Sequence, residues 1–392
     1  MTLDFSAKYF GLRHSEYHID RPLLLSVLAL ISIGLVMIAS ASFSFAEHRY
    51  GNELYFVKRH LAYLLVGTAA MLAGFFVPPT VWARYARLWI LLSILLLALV
   101  LIPGIGREVN GARRWLSLAG FTLQVSELVK VATVVFLASH LQQHRETLSV
   151  NPAEFGKLLG VISLLSLLLM LQPDFGSVVV LVATFMAMVF LGGTNLRQYL
   201  LVVLVGFLLL YWMAESAPYR LARLATFLDP WTEKYDSGYQ LVQSLIAFGR
   251  GGWFGVGLGQ SVQKMLYLPE AHTDFVFAIF AEEFGFVGVI VLLGLYITMV
   301  LRVFQLAKMA ITQKYWYGAY ILVGFGLLIS GQTFINLGVN AGLLPTKGLT
   351  LPFVSYGGSS LMVCCAMVGM MLRIGHEIRS PQQPSRRTRY VR

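Results

Sequence analysis

Apolar residues in this chain come in blocks of about twenty, with no alternation of strand type, and a bilayer core takes about that many residues for one helical crossing. Blocks at 22–44, 58–78, 85–103, 125–141, 157–172, 175–193, 196–215, 275–301, 317–338 and 355–372 predict ten transmembrane helices. The gaps at 172–175 and 193–196 are short enough to admit re-entrant turns. The expected fold class is all-α, a polytopic integral membrane protein. An even number of crossings puts both termini on one side. Lys and Arg are more numerous on that side, with Arg373, Arg379, Arg386, Arg387, Arg389 and Arg392 near the C-terminus, so both termini are expected to be cytoplasmic. The domain reading is then a cytoplasmic N-terminal segment 1–21, a membrane domain 22–379 with a large extracytoplasmic loop 216–273 between helices seven and eight, and a basic tail 380–392 lying on anionic lipid or disordered.

Composition agrees. Hydrophobic residues make up 57% and charged residues 12%, where a soluble domain carries about a quarter charged. Thirty Lys and Arg against 19 Asp and Glu give +11, but the bases flank apolar blocks, which argues against a nucleic-acid surface. The polar start lacks the pattern of a cleavable signal, so the first apolar block is expected to be retained. No GxxxxGK[ST] pattern suggests a nucleotide-driven pump. Cys364 and Cys365, adjacent in one apolar block, read as packing residues.

Ionisable groups at membrane depth are costly, so each is a functional candidate. Glu127 and Lys130 stand three apart on one helical face, as a structural ion pair or part of a site. Arg113 and Arg114 precede that helix in an outer loop, where guanidinium suits a phosphate. Between Gly249 and Gly259 there are six glycines, around Arg250 and followed by Lys264, allowing tight turns and close approach to a ligand. A dinucleotide fingerprint is excluded there, because no strand precedes the run. His272 and Asp274 then reach the mouth of the eighth helix, where Asp274 is either an N-cap or a reactive carboxylate. Glu282 and Glu283 follow on different sides of that helix, so at most one can share the Asp274 cavity. Glu270, His272 and Asp274 are metal-compatible in type but not in any diagnostic spacing, so no metal site is assigned, although a divalent cation is admitted. Lys347 is the lone charge of a Pro-, Gly- and Ser-rich loop before the tenth helix, either an interface anchor or a substrate contact.

Several of these motifs, in this order, resemble the SEDS family of bacterial shape, elongation, division and sporulation proteins. The matching runs are Gly111–Leu116 with Ser126–Lys130, Gln172–Gly176, the stretch from Gly238 to Gly285, and Leu344 to Ser360. The run Leu344–Pro352 is closer to the division-type members than to the elongation type. Val125 and Phe284 depart from the usual Pro and Leu without removing a polar group. The resemblance implies a peptidoglycan glycosyltransferase of the inner membrane at the division septum, polymerising lipid II by an inverting reaction. It implies a class B penicillin-binding transpeptidase (FtsI) as partner, with FtsQ, FtsL, FtsB and FtsN as further divisome neighbours. Asp274 matches the family's essential aspartate and is the expected base, while Arg114, Glu127, Lys130, Arg250, Lys264, His272 and Lys347 are expected on the substrate side. Alternatives are a lipid II transporter, an elongation-type polymerase and a non-catalytic division scaffold.

Overall fold

The computed structural model describes residues 18–380 apart from 110, 119–120, 216–226, 228, 237 and 346–347. Lys347, the start of the long loop and the arginines of the tail therefore lie outside the described residues. The helices are α1 (Arg21–Tyr50), α2 (Tyr55–Phe76), α3 (Pro79–Arg84), α4 (Ala86–Leu101), α5 (Val125–Gln143), α6 (Pro152–Leu171), α7 (Phe175–Leu191), α8 (Leu196–Glu215), α9 (Tyr239–Gly251), α10 (Val276–Thr312), α11 (Trp316–Asn340) and α12 (Gly358–Arg379). Each predicted block coincides with one of them. Seven (α1, α2, α5, α6, α10, α11 and α12) are long and apolar enough to cross a membrane, and α4, α7 and α8 are shorter apolar helices.

Burial is inverted relative to a water-soluble bundle. Leu65, Leu88 and Phe207 are exposed on helix surfaces, while Glu127, Lys130, Gln332, Asn336 and Asn340 are buried. That is the distribution expected where the surrounding solvent is hydrocarbon and polar groups must be satisfied inside. Short polar side chains set several helix starts: Asp20 accepts from Leu23 N at 3.1 Å, Asn151 from Ala153 N at 3.0 Å and Asp174 from Ser177 N at 3.3 Å. Helices α2 and α12 approach through small residues. A Cβ on Gly369 would fall 2.0 Å from Met71 O, and one on Gly74 2.7 Å from Ala366 O. Both cysteines are buried in this core, and Cys365 Sγ lies 3.2 Å from where a Cβ on Gly67 would stand.

The all-α expectation needs one amendment. A three-stranded antiparallel sheet, β1 (Gly106–Val109), β2 (Ala112–Leu118) and β3 (Phe121–Gln124), fills the connection from α4 to α5. Its strands are too short to show periodicity, and β3 runs directly into α5. Ser359 holds the sheet's end to α12, accepting from Gln124 N at 2.8 Å and donating to Thr122 O at 2.9 Å.

The glycine-rich run is also placed differently from the expectation of a ligand cradle. Helix α10 breaks at Gly285 (φ 66°, ψ −166°), and the segment after α9 enters the break. Val256 N and Gly257 N donate to Glu282 O and Glu283 O at 2.9 and 3.1 Å, while Phe286 N and Val287 N donate to Gly252 O and Trp253 O at 2.9 and 3.1 Å. A Cβ on Gly251 or Gly255 would lie 2.1 Å from Ala281 O or Glu283 O respectively. The close approach is thus to the backbone of α10, whose opened hydrogen bonds the loop satisfies.

Candidate active site

Asp274 stands just before α10, half-buried. It is not the cap of that helix: Phe275 holds the cap position without a side-chain bond, and among the described residues no donor reaches the Asp274 carboxylate. The segment is fixed through its backbone instead. Asn336 and Asn340, one turn apart on α11, each donate an amide proton to Asp274 O at 2.9 Å. Asn336 also donates to Leu349 O at 2.5 Å, tying the Gly348–Thr350 loop alongside. Gly348 presses on the carboxylate, since a Cβ there would lie 2.7 Å from Asp274 Oδ2. Burial first, then the negative charge of Glu270, raise the Asp274 pKa to about 7, against the pull of the Arg114 guanidinium. The result is a carboxyl poised near neutrality, as a general base requires.

Arg114 projects from β2 and donates to Gln172 O at 2.8 Å and Pro173 O at 2.6 Å, with Asp174 Oδ1 3.9 Å away. These contacts hold a partly exposed guanidinium where its charge reaches Asp274. Arg113 pairs instead with Glu108 at 3.0 Å.

Glu127 and Lys130 form a buried pair at 2.9 Å, with side chains only 6% and 3% exposed. Both charges of the pair thus face each other inside the protein. Lys130 also donates to Gln332 Oε1 at 2.9 Å, and Gln332 Nε2 donates to Thr350 O at 3.0 Å, so the pair reaches the loop that carries Gly348. The cavity beside them, about 10 Å³, is water-sized.

Lys264 is buried as well. Its ammonium is buried against Glu283 Oε1 and Ser40 Oγ, both at 2.8 Å, and so joins the loop to α10 and α1. Arg250, at the end of α9, is 44% exposed and lies 3.5 Å from Glu282 Oε1. Glu282 also accepts from Ser261 Oγ, Val262 N and Gln263 N. Glu282 and Glu283 are thus the buried anchors of the long loop, their carboxylates taken up by Ser261, Val262, Gln263 and Arg250 and by Ser40 and Lys264 respectively.

His272 packs against Phe56, Phe45 and Tyr356 with ring centroids 4.5, 5.2 and 5.7 Å apart. Burial lowers its pKa to about 4, so the ring is neutral at physiological pH and contributes an aromatic face in place of a cation. Glu270 accepts from Thr273 Oγ1 at 2.6 Å. Glu270, His272 and Asp274 do not converge as a ligand set, and among the described residues the one cluster of three candidate ligands lies elsewhere.

The profile of the FtsW–RodA–SpoVE group, described as cell cycle proteins, matches residues 21–380. The chain belongs to this family. FtsW–RodA–SpoVE relatives of high similarity include the probable peptidoglycan glycosyltransferase FtsW of Saccharophagus degradans, 46% identical over 98% of this chain and 99% of that protein. The protein of the same description from Alcanivorax borkumensis is 48% identical over 92% of this chain and 94% of its own length. Among solved structures, a chain of a peptidoglycan synthase complex that coordinates polymerization and crosslinking superposes with a TM-score of 0.77 at 30% identity, covering 92% of this chain and 99% of that one. The rod shape determining protein RodA of Thermus thermophilus superposes with a TM-score of 0.69 at 30% identity, covering 93% and 99%. In this member of the FtsW–RodA–SpoVE family, sequence reading singled out Asp274 and Arg114 and matched the run that holds Gly348, but gave no individual role to Asn336, Asn340 or Gly348. The two asparagines, four apart on an apolar helix, were the available signal.

Proposed function

We propose that this chain is a peptidoglycan glycosyltransferase that polymerises lipid II during septal wall synthesis, with Asp274 as its catalytic base. The observation that carries the reading is the Asp274 carboxyl: half-buried, free of hydrogen-bond donors among the described residues, and poised near pH 7 beside Arg114. The acceptor hydroxyl gives its proton to Asp274 as its oxygen bonds to C1 of the donor sugar. The bond from C1 to the lipid diphosphate breaks with inversion, and its electron pair leaves on the diphosphate. A base placed opposite the leaving group contributes about 10²- to 10⁴-fold. The departing anion needs countercharge rather than a proton, and Arg114 supplies it, with Arg250 and Lys347 as further cations on the substrate path.

In this reading all ten apolar helices cross the inner membrane, both termini are cytoplasmic, and residues 216–273 face outward. A class B transpeptidase such as FtsI is the working partner, supported by the likeness to a chain of a synthase complex, with FtsQ, FtsL, FtsB and FtsN as septal neighbours. The test is lipid II polymerisation by the purified chain with its transpeptidase, native against Asp274→Asn at matched folding. Glycan strands are expected from the native protein, with at least a 100-fold loss in the variant. Equal polymerisation by both would remove Asp274 as base, and lipid II movement across vesicles without glycan would favour a transporter.

A further inference from the structure

At the far end of α5 from Glu127, about 20 Å along the helix, His140 and His144 stand one turn apart and face Glu154 in the first turn of α6. Their rings stack with centroids 4.2 Å apart. Nε2 of His140 and of His144 lie 3.4 and 3.5 Å from the same oxygen, Glu154 Oε2. All three ligand atoms fall within 4.8 Å of one another. Glu154 is 8% exposed, yet Oε2 has no hydrogen-bond partner, and neither does His140 Nε2. The other carboxylate oxygen is occupied, accepting from Lys157 Nζ at 2.6 Å. His144 Nδ1 lies 3.1 Å from His140 O; donation there leaves the Nε2 lone pair directed at the cluster.

We propose that His140, His144 and Glu154 bind a zinc-class divalent cation that ties the last turn of α5 to the first turn of α6. Two imidazoles with one carboxylate select a borderline transition metal over magnesium or calcium, which prefer all-oxygen shells. Metal–ligand bonds of about 2.0–2.1 Å in a tetrahedron set ligand–ligand edges of roughly 3.3–3.4 Å, close to the separations at Oε2. Three protein ligands leave a fourth position for water. His140 also lines an adjoining cavity of about 200 Å³, with Arg84, Arg87, Ser139 and Gln143, through which solvent has access. The site is remote from Asp274, and its role is to fix α5, the helix that carries Glu127 and Lys130.

The experiment is Co²⁺ titration of the full-length, tag-free chain in detergent micelles, stripped of metal beforehand. The expected result is one Co²⁺ per chain with the visible bands of four-coordinate cobalt, displaced by Zn²⁺ and unaffected by millimolar Mg²⁺. His144→Ala and Glu154→Gln should each weaken binding at least tenfold, while His376→Ala, outside the cluster, should leave it unchanged. Absence of the four-coordinate spectrum in the native chain overturns the proposal without reference to any variant. So does binding that folded His144→Ala and Glu154→Gln proteins retain in full.

Discussion

At Asp274 the surroundings of one carboxyl set a pH dependence with a definite sign. Burial and Glu270 raise its pKa to about 7, so the ionised form that accepts a proton accumulates only as pH rises through that value. Lipid II polymerisation should show an acidic limb near pH 7 in kcat/KM. Glu270→Gln removes a negative charge that helps to raise the pKa, and the limb should move to lower pH; a limb that stays in place or moves upward would contradict this account. For stability the sign is opposite. A carboxyl whose folded pKa is raised contributes stability below the unfolded value near 4, and that contribution is lost as pH rises through 7. Asp274 was legible in the sequence because an acid at a helix mouth is conspicuous. What sets its pKa was not: burial depends on Gly348, which offers no side chain to notice and packs from a loop more than 70 residues away.

At the level of elements, the break in α10 is where sequence reading and structure part most clearly. Hydropathy predicts one uninterrupted helix there, because Gly285 sits among apolar residues and a single glycine inside a helix costs only about 1 kcal/mol. Its positive φ is imposed by the incoming Gly252–Gly257 backbone, a long-range contact without periodic signature. A Cβ at Gly285 would lie 2.3 Å from Gly255 N and would also force a left-handed conformation on an L side chain. Gly285→Ala is therefore expected to expel the loop and unpair its exchanged amides, lowering the unfolding temperature by several degrees and speeding hydrogen exchange at residues 252–257 and 282–287. Gly156→Ala, whose Cβ meets nothing within 4 Å on a helix, is the matched control and should not destabilise. Unchanged exchange in Gly285→Ala would mean that the insertion contributes little to the fold. The ten apolar blocks were legible for the opposite reason, since each is a local run that needs no partner to be recognised.

For the whole molecule, the start of α1, the last turn of α12 and α10 are tied together by one acidic residue. Asp20 is fully buried, caps α1, accepts from Arg302 on α10 at 2.9–3.1 Å, and pairs with Arg379 in the last turn of α12. Three helices distant in sequence therefore meet at one carboxylate. Burial works to raise its pKa, but the bond from Arg302, the Leu23 amide and the two positive charges together lower it. Its stabilisation is consequently present above the unfolded value near 4 and lost only as pH falls through the depressed one. The two guanidiniums are about a quarter exposed, so water compensates part of any loss. Asp20→Ala should then cost about 2 kcal/mol, less than the removal of a partner from a fully buried pair. The decisive comparison is a double-mutant cycle in detergent micelles between Asp20→Ala and Arg302→Ala. If the carboxylate is the shared tie, the double variant loses clearly less than the sum of the singles, and adding Arg379→Ala costs little more. Additive losses would instead mean that each helix end is held by separate contacts, and that Asp20 acts only as the cap of α1.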